Sequence, residues 1–411
     1  MIYDVLIIGG GQYGLSVAEN LRKLNFAGSI AIVGDEAALP YQRPPLSKTY
    51  ISSEVAFENI AIRNSNYYRD QNIDLFTGEL VTQITEELQP SEPRFTIRSQ
   101  SSVFTAKKIV LGLGVAAKTL PKSFGPLDNV FTLRNTADAL KIREKFCVNR
   151  SIAIIGSGFI GLEASHAASL VGMQVTILTR TDQVLRKITS TEISKFLRKK
   201  TEEAGIRIVS NSKICDITST AENAVAIDLE NGDRIDVNMV LVCIGSEVRQ
   251  LPVSNFNLAT RGGRLVVNQD CQTSAANVWA GGDMVAVAGF GEAVNDPVES
   301  VFNALYQGEI TAASIMSETT PQQQVPWFWS DQGSTKLQIC GLPSPGDELI
   351  SFQTDKGLVV LHFENGDFSA AECVNEPAFF MLARKALARA VPLTILDFQK
   401  NEMNLKDVLK S

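Results

Sequence analysis

A glycine-rich turn near the N-terminus constrains the fold of this chain more than any other feature. Gly9, Gly11 and Gly14 have the G-x-G-x-x-G spacing between the apolar strand pattern DVLIIG and a helical pattern that leads to a second strand, SIAIVGDE. In a βαβ unit the first glycine makes a tight turn, the second lets backbone approach a pyrophosphate, and the third packs helix against strand. Asp35 follows Gly14 by about the 20 residues expected of a carboxylate that binds a ribose hydroxyl.

The same glycine spacing recurs at Gly156, Gly158 and Gly161, in SIAIIGSGFIGLEASHAASLVGMQVTILTRT. A hairpin pattern and an apolar strand that ends in glycine follow each turn, first in RFTIRSQSSVFTAKKIVLGLG and later in AVAIDLENGDRIDVNMVLVCIG. Asn231-Gly232 is predicted to form a two-residue turn in the later hairpin. The segment GRLVVNQDCQTSAANVWAGGD is expected to complete the first unit, so that the second unit is inserted in it.

These patterns predict an α/β chain with two Rossmann-like domains and a C-terminal α+β domain. The expected bounds are 1–114 with 246–320 for the first domain, 115–245 for the inserted one, and 321–411 for the third. In the third domain, strand patterns surround an Asn365-Gly366 turn, and the helical pattern EPAFFMLARKALARA follows them.

Composition excludes several classes of function. The formal charge of −7 argues against general nucleic-acid binding, which rewards clustered Lys and Arg. No apolar run approaches the ~20 residues needed to span a bilayer, and Asp4 stands where a signal peptide would be basic, so a cytoplasmic protein without membrane attachment is expected. The six cysteines are scattered and there are only two histidines, so we expect no metal site and infer that a cofactor supplies the chemistry.

Two dinucleotide folds in one chain indicate electron transfer between two dinucleotides, and FAD with NAD(P)H is the natural pair. The first site is expected to hold FAD because its unit is completed by NVWAGGDMV, where a strand leads into Gly281 and Gly282. Asp283 then lies at the carboxyl end of that strand, where ligands of open α/β sheets bind, and is predicted to contact the ribityl chain. The alternative is that Asp283 only caps the next turn.

Several segments taken together resemble one family. They are YQRPPLSK, TLRNTADALKIRE, GSGFIGLEAS, NVWAGGD, VESVFNALYQG and PWFWSDQGSTKLQICGL. Their order and sequence are similar to the FAD-dependent ferredoxin reductases of the putidaredoxin reductase type, which serve Rieske dioxygenases and bacterial cytochromes P450. The match runs nearly end to end. It implies a glutathione-reductase-like fold, hydride transfer from NAD(P)H to FAD, and single-electron transfer to a [2Fe-2S] ferredoxin.

The resemblance also assigns roles to residues near the flavin. It places Arg43 close to the ring and Lys48 near its reactive edge, with Lys48 paired to Glu163. A cation there would stabilise negative charge that develops on reduced flavin. Pro44 and Pro45 fix the backbone beside Lys48, although a solvated loop lysine is the alternative.

For the rest of the flavin site, the resemblance implies that Glu299 begins a helix, continued by Val301, whose N–H groups face the pyrimidine. It places Trp329 against the ring on the ferredoxin side. Strand alternation puts Trp327 and Trp329 on one face, and packing between domains is the alternative. The implied NAD(P)H contacts, besides the three glycines and Glu163, are Phe159, Ile160, Thr179, Arg180 and Gly245.

The sequence departs from the family at three places. Where NADH-dependent members have a glutamate that binds ribose, this chain has Thr179 followed by Arg180, a pattern that accommodates a 2'-phosphate and favours NADPH slightly over NADH. Leu113 replaces the usual threonine in LGLG, which puts FAD affinity in doubt. Pro297 and Val298 replace the arginine that commonly precedes the flavin helix.

Two other functions compete with this interpretation. Dithiol reductases and peroxidases share the double fingerprint but place a redox cysteine soon after the first βαβ unit, whereas no cysteine precedes Cys147 here. The second alternative is an FAD-binding signalling protein that resembles apoptosis-inducing factor, with slow or no turnover.

The expected partner is an acidic [2Fe-2S] ferredoxin, since ferredoxins of this type are acidic. Such a partner needs a basic surface near the flavin entrance. Arg384, Lys385 and Arg389 on the last strong helical pattern form the candidate surface, together with Trp329. A solvated helix face is the alternative.

Overall fold

The computed structural model describes residues 1–87, 94–125, 127–186, 188–220, 224–288, 299–389, 393–401 and 405–408. These residues form two compact units. The first consists of Met1–Arg43, Ala56–Ala116 and Ser246–Gln323. The second consists of Pro44–Val55, Ala117–Gly245 and Gln324–Ser411, so most of the RPPLSK segment belongs with the inserted region. The bounds predicted for three domains remain a prediction.

The strands, in chain order, are β1 (Ile2–Ile8), β2 (Ile30–Val33), β3 (Ile73–Phe76), β4 (Val81–Glu87), β5 (Arg94–Ser99), β6 (Val103–Leu111), β7 (Val115–Ala117), β8 (Val130–Thr132), β9 (Ser151–Ile155), β10 (Gln174–Leu178), β11 (Arg207–Val209), β12 (Ile214–Ser219), β13 (Val225–Leu229), β14 (Arg234–Val237), β15 (Met239–Val242), β16 (Ser246–Val248), β17 (Thr260–Arg261), β18 (Arg264–Val267), β19 (Val278–Ala280), β20 (Val285–Val287), β21 (Trp327–Gln332), β22 (Thr335–Gly341), β23 (Glu348–Gln353), β24 (Leu358–Glu364) and β25 (Asp367–Val374).

The α-helices are α1 (Gln12–Lys23), α2 (Thr49–Ser52), α3 (Ser65–Asp70), α4 (Thr136–Lys145), α5 (Phe159–Leu170), α6 (Thr191–Glu203), α7 (Val301–Met316), α8 (Pro377–Leu387), α9 (Ile395–Lys400) and α10 (Leu405–Val408). Short 3-10 helices lie at Pro44–Ser47, Phe57–Asn59, Lys122–Phe124 and Gly282–Met284. Within the described ranges, no helix is both long enough and apolar enough to cross a membrane.

The first unit is built on the sheet β3-β2-β1-β6-β5-β4, with β19 paired to β6 in parallel. β1, α1 and β2 form the predicted βαβ unit, since β1 and β2 pair in parallel. The apolar residues of both strands are buried, and α1 packs over them. The pairing of β19 with β6 confirms that the downstream segment completes this fold. The first expected hairpin is simpler than predicted, since β6 serves both as its second strand and as the buried strand.

Apolar clusters lie on both faces of this sheet, as a doubly wound fold requires. One face packs against α1 and α7, which approach closely because a Cβ on Gly308 would lie 2.4 Å from the Ser16 hydroxyl. Ser16 Oγ also donates a hydrogen bond of 2.9 Å to the Leu305 carbonyl. The close contact of α1 with α7 fixes the N-terminus of α1 at the carboxyl ends of the strands.

The second unit contains the parallel sheet β11-β10-β9-β15-β8, the second dinucleotide-binding fold. The hairpin β13–β14 belongs to a small sheet with β12. Its turn corrects the two-residue prediction: Leu229 pairs with Asp233, so three residues form the loop. Asn231 does not adopt positive φ, because its Oδ1 accepts a 3.1 Å hydrogen bond from the Asp233 N–H and makes an Asx-type turn instead.

The C-terminal part of the second unit is the predicted antiparallel sheet, in the order β21-β22-β25-β24-β23, with α8 packed on one face. The turn between β24 and β25 consists of Asn365 and Gly366, with φ of 53° and 89°, which confirms the predicted two-residue turn. The two asparagine-glycine pairs therefore form different turns.

Three buried side chains, Asp347, His362 and Glu372, are linked by hydrogen bonds inside the second unit. His362 Nδ1 is 3.0 Å from Asp347 Oδ2, and its Nε2 is 3.0 Å from Glu372 Oε2. These side chains are 2%, 3% and 0% exposed for Asp347, His362 and Glu372. Glu372 also accepts hydrogen bonds of 3.1 Å from the backbone N–H of Ser190, which caps α6. Glu372 thus anchors the start of α6 to the C-terminal sheet.

Candidate functional site

The first glycine-rich turn has the geometry that a pyrophosphate site requires. Gly9 has φ of +116°, and a Cβ there would lie 2.2 Å from the Gly112 carbonyl oxygen. A Cβ on Gly14 would lie 2.1 Å from the Gly9 carbonyl oxygen, so helix and turn touch through backbone. By contrast, nothing lies within 4 Å of a Cβ on Gly11. The middle glycine therefore leaves open space at the helix N-terminus, where a phosphate would bind.

The second turn repeats this arrangement in the second unit. A Cβ would lie 2.2 Å from the Cys243 carbonyl oxygen at Gly156 and 2.3 Å from the Gly156 carbonyl oxygen at Gly161, whereas Gly158 again faces open space. Gly11 and Gly158 are the N-caps of α1 and α5, and neither helix has a side-chain cap. Each unit thus offers a helix N-terminus with room for an anion, which fits one dinucleotide per unit.

Both acidic residues after β2 have basic partners within the first unit. Asp35 Oδ2 lies 2.6 Å from the Arg249 guanidinium, so the carboxylate predicted to bind ribose is already in an ion pair. Arg43 lies 2.6 Å from Glu36 Oε1, and Tyr41 donates a 2.5 Å hydrogen bond to Oε2 of the same carboxylate. Sequence reasoning missed Glu36 and Arg249, although the adjacent acids in GDE were a visible signal.

Gly281 is needed for a packing contact that sequence reasoning missed. A Cβ on Gly281 would lie 2.2 Å from the Tyr13 ring, and one on Gly112 would lie 2.9 Å from it. Tyr13 is 3% exposed, shares a 2.8 Å hydrogen bond with Thr311, and has its pKa raised well above the usual value by burial. The Tyr13 side chain thus packs α1 against the carboxyl ends of the strands. Asp283 lies in the short helix that follows β19.

Helix α7, which the resemblance places at the flavin, begins two residues later than predicted. α7 starts at Val301, and Ser300 is its N-cap, with Oγ accepting a 3.1 Å hydrogen bond from the Asn303 N–H. The prediction that Glu299 begins this helix was wrong, because the serine satisfies the first turn. The Glu299 carboxylate instead lies 2.5 Å from Arg264. Pro297 and Val298 lie outside the described residues.

Lys48 and Glu163 come together in the second unit. Lys48 Nζ is 2.9 Å from Glu163 Oε2 and 3.2 Å from the Pro44 carbonyl oxygen. Their side chains are 17% and 6% exposed, so the ion pair is largely removed from water. Ser47 and Ser330 donate hydrogen bonds of 2.5 Å and 2.7 Å to the two oxygens of the same carboxylate. Sequence reasoning missed both serines, although each belongs to a motif that carried the resemblance.

The tryptophans of β21 share one face, as strand alternation predicts. Trp327 and Trp329 stack with centroids 5.4 Å apart, while Phe328 packs edge-on against Phe159 of α5, also at 5.4 Å. The Arg384 guanidinium lies over the Trp327 ring at 5.0 Å. Arg384 is thus half-buried against an aromatic ring, whereas Lys385 and Arg389, the other two residues of the candidate docking surface, are exposed.

The other predicted nucleotide contacts lie around the second turn. Thr179 is buried, and its hydroxyl shares a 2.9 Å hydrogen bond with Ser157, inside the glycine motif. Arg180 is exposed and forms no ion pair within the described ranges. Ile160 is 43% exposed at the start of α5, and Gly245, with φ of +105°, faces open space. In the first unit, Leu113 packs against the apolar core.

The cysteines do not form a redox pair. All six are free, and burial raises the pKa of the Cys243, Cys271 and Cys340 thiols to about 12. Since the thiolate is the reactive form, these buried thiols are inert near neutral pH. No group of three or more His, Cys, Asp and Glu side chains in the described part of the chain is arranged to hold a metal ion.

Comparison with known proteins identifies the family to which this chain belongs. Residues 3–308 match the pyridine nucleotide-disulphide oxidoreductase family, and residues 327–409 match the reductase C-terminal family. The chain belongs to the pyridine nucleotide-disulphide oxidoreductase family and is an oxidoreductase with two dinucleotide-binding folds. We refer to residues 327–409 as the C-terminal domain.

Several relatives are named as reductases of ferredoxin-type electron carriers. Rhodocoxin reductase of Rhodococcus erythropolis is 32% identical over 98% of this chain and 93% of its own length. The 5,5'-dehydrodivanillate O-demethylase ferredoxin reductase subunit of Sphingobium sp. is 33% identical over 93% of this chain and 92% of its own length. Among solved structures, putidaredoxin reductase in its covalent complex with putidaredoxin superimposes with a TM-score of 0.89 at 27% identity, covering 99% of this chain and 98% of that one.

Proposed function

We propose that this chain is an FAD-dependent NAD(P)H:ferredoxin reductase that supplies electrons to a [2Fe-2S] ferredoxin of an oxygenase system. The observation that carries the proposal is the Lys48–Glu163 ion pair in a chain with two open dinucleotide turns. The relatives support the partner, since they are named as reductases of rhodocoxin, putidaredoxin and a demethylase ferredoxin. FAD, when bound, accepts a hydride and releases electrons singly.

The residues of each unit have distinct tasks in this proposal. The N-termini of α1 and α5 bind the pyrophosphates of FAD and NAD(P)H through backbone N–H groups. Asp283 and the α7 terminus at Val301 contact the flavin, as do Arg43 and Trp329. Lys48 supplies positive charge at the reactive edge, and Glu163 keeps it oriented.

The function is tested by anaerobic mixing of the purified yellow protein with NADH and with NADPH in parallel. We expect the 450 nm flavin band to bleach within seconds with at least one nucleotide, a turnover typical of enzymes. Bleaching that is slow or absent with both would contradict the proposal and would favour the FAD-binding signalling alternative.

We further propose that NADPH is the preferred nucleotide. The exposed Arg180 has no ion-pair partner in the described part of the chain, and no carboxylate stands at Thr179 to repel a 2'-phosphate. Arg180→Ala is expected to lower kcat/KM for NADPH by about 10- to 100-fold, because one charge-assisted hydrogen bond is lost. The kcat/KM for NADH should stay unchanged. Arg207→Ala, at another exposed arginine of the same unit, is the control. A wild-type preference for NADH would overturn this choice.

Gly11 and Gly158, the middle glycines of the two turns, allow the nucleotide sites to be tested separately. Gly11 has φ of −86° and Gly158 has φ of −77°, values that alanine adopts readily, and both face open space. Gly11→Ala is therefore expected to leave the unfolding free energy of apoprotein within about 0.5 kcal/mol but to weaken FAD binding at least about tenfold.

Gly158→Ala is the matched variant. We expect it to retain FAD, measured by the ratio of flavin to protein absorbance, and to raise KM for the nicotinamide nucleotide by about tenfold. Full FAD retention in Gly11→Ala, or FAD loss in Gly158→Ala, would show that the sites are assigned wrongly.

We propose that the ferredoxin docks on a basic surface formed by Lys385, Arg389 and the exposed edge of Arg384. Arg384 also supports Trp327, which stacks on Trp329. An acidic partner bound there would be attracted by these charges and would lie near the aromatic pair.

A further inference from the structure

We propose that Ser330 is a positioning residue for the Lys48–Glu163 pair, so that the C-terminal domain takes part in flavin reduction through a hydrogen bond. This inference rests on the proposed reductase function and deepens it. It gives the WFWSDQ motif a second task beside the one expected of Trp329.

The two oxygens of the Glu163 carboxylate are held by different parts of the chain. Oε2 faces Lys48 Nζ at 2.9 Å and accepts a 2.5 Å hydrogen bond from Ser47, both in the segment Pro44–Val55. Oε1 accepts a 2.7 Å hydrogen bond from Ser330 of β21. Ser330 is 0% exposed, so water cannot replace its hydroxyl without a rearrangement of the strand.

The direction of the Ser330 hydrogen bond is fixed by a further contact. Gln332 Nε2 donates a 3.3 Å hydrogen bond to Ser330 Oγ, and Gln332 is 1% exposed. Since the amide occupies an acceptor position of the hydroxyl, its own proton is directed to Glu163. Gln332, Ser330, Glu163 and Lys48 thus form one chain of hydrogen bonds in which each donor has a defined acceptor.

These hydrogen bonds hold the Glu163 carboxylate in one orientation. Without Ser330, Oε1 would be a buried acceptor with no donor from β21, and the Glu163 side chain could rotate. Such a rotation would weaken the contact with the Lys48 ammonium, which we propose acts at the flavin.

The position of Ser330 on β21 couples this contact to the aromatic pair. Ser330 points to the face of β21 opposite Trp329, towards α5, where Phe328 also packs on Phe159. Adjacent residues of one strand therefore serve the ion pair and the aromatic face.

The test is Ser330→Ala, with Ser330→Thr as the variant that retains the hydroxyl. Ser165→Ala is the matched control, because Ser165 is equally buried, lies on α5 and donates only to the Leu162 carbonyl at 2.6 Å. One readout is the rate of flavin bleaching at saturating NAD(P)H. The other is the rate at which acetic anhydride modifies Lys48, measured by peptide mass spectrometry, since only a neutral, released amine reacts.

We expect Ser330→Ala to slow bleaching about tenfold and to raise Lys48 acetylation about threefold, as for loss of one hydrogen bond to a charged group. Ser330→Thr should restore both readouts towards wild type, and Ser165→Ala should change neither. Unchanged bleaching and acetylation in Ser330→Ala, or equal effects of both alanine variants, would overturn the inference. If wild-type flavin is not reduced by either nucleotide, the proposed function fails, while acetylation still reports on the positioning of Lys48.

Discussion

Replacing Lys48 by methionine is expected to slow flavin reduction by NAD(P)H about 100- to 1,000-fold, the usual cost of removing one preorganised electrostatic contact from an active site. Methionine has an unbranched side chain of nearly the same length, and it removes the charge. Because Lys48 is 17% exposed and 2.9 Å from Glu163, the variant also leaves a buried carboxylate without its cation. The measurement is single-turnover bleaching at saturating nucleotide.

A double-mutant cycle separates the role of the charge from that of the pair. Glu163→Gln alone is expected to have a smaller effect, and Lys48→Met with Glu163→Gln should be no slower than Lys48→Met alone, because the two residues act as a unit. Lys141→Met, at an exposed lysine of α4, is the control and should leave the rate unchanged. Bleaching of Lys48→Met within threefold of wild type would rule out an electrostatic role for Lys48.

Replacing His362 by alanine is expected to destabilise the second unit by about 3–5 kcal/mol, the range for breaking a buried ionic network from one side. Both ring nitrogens lie 3.0 Å from carboxylate oxygens, so His362 joins Asp347 to Glu372 by one hydrogen bond at each nitrogen. Without the ring, Asp347 and Glu372 remain buried and each loses a hydrogen-bond partner. Glu372 would then hold the backbone N–H of Ser190 less firmly.

Urea unfolding followed by tryptophan fluorescence measures this effect, since Trp327 and Trp329 lie in the same unit. His166→Ala is the control: its ring makes a single 3.4 Å contact with Thr201, and burial lowers its pKa, so no ion pair is broken. We expect a smaller loss there. Replacing Asp347, His362 and Glu372 together by apolar residues should be far less harmful than His362→Ala. A loss below 1 kcal/mol for His362→Ala would show that the network contributes little.

The sequence was sufficient to predict the features that local sterics determine. Gly9 and Gly156 have positive φ and touch backbone of the neighbouring strand connection, so their spacing identified both βαβ units correctly. The Asn365-Gly366 turn followed from the same conformational preference, and the shared face of Trp327 and Trp329 followed from strand alternation.

Features set by distant contacts could not be predicted. Ser330 meets Glu163 across 167 residues, and the Tyr13 ring packs against Gly281 although 268 residues separate them. The start of α7 depended on which of two adjacent residues, Glu299 or Ser300, capped it. A local sequence pattern does not predict these contacts or the start of α7. They depend on packing and on which hydrogen-bonding groups would otherwise remain unsatisfied.

Electron delivery to a ferredoxin tests the central claim most directly. The holoprotein should be mixed anaerobically with NADPH or NADH and with a panel of acidic [2Fe-2S] ferredoxins that includes putidaredoxin, while the iron–sulfur absorbance is followed. We predict that at least one ferredoxin is reduced at about 1–1,000 turnovers per second, and that the rate falls as salt screens the docking charges. Rapid flavin bleaching without reduction of any ferredoxin, at any salt concentration, would contradict the account.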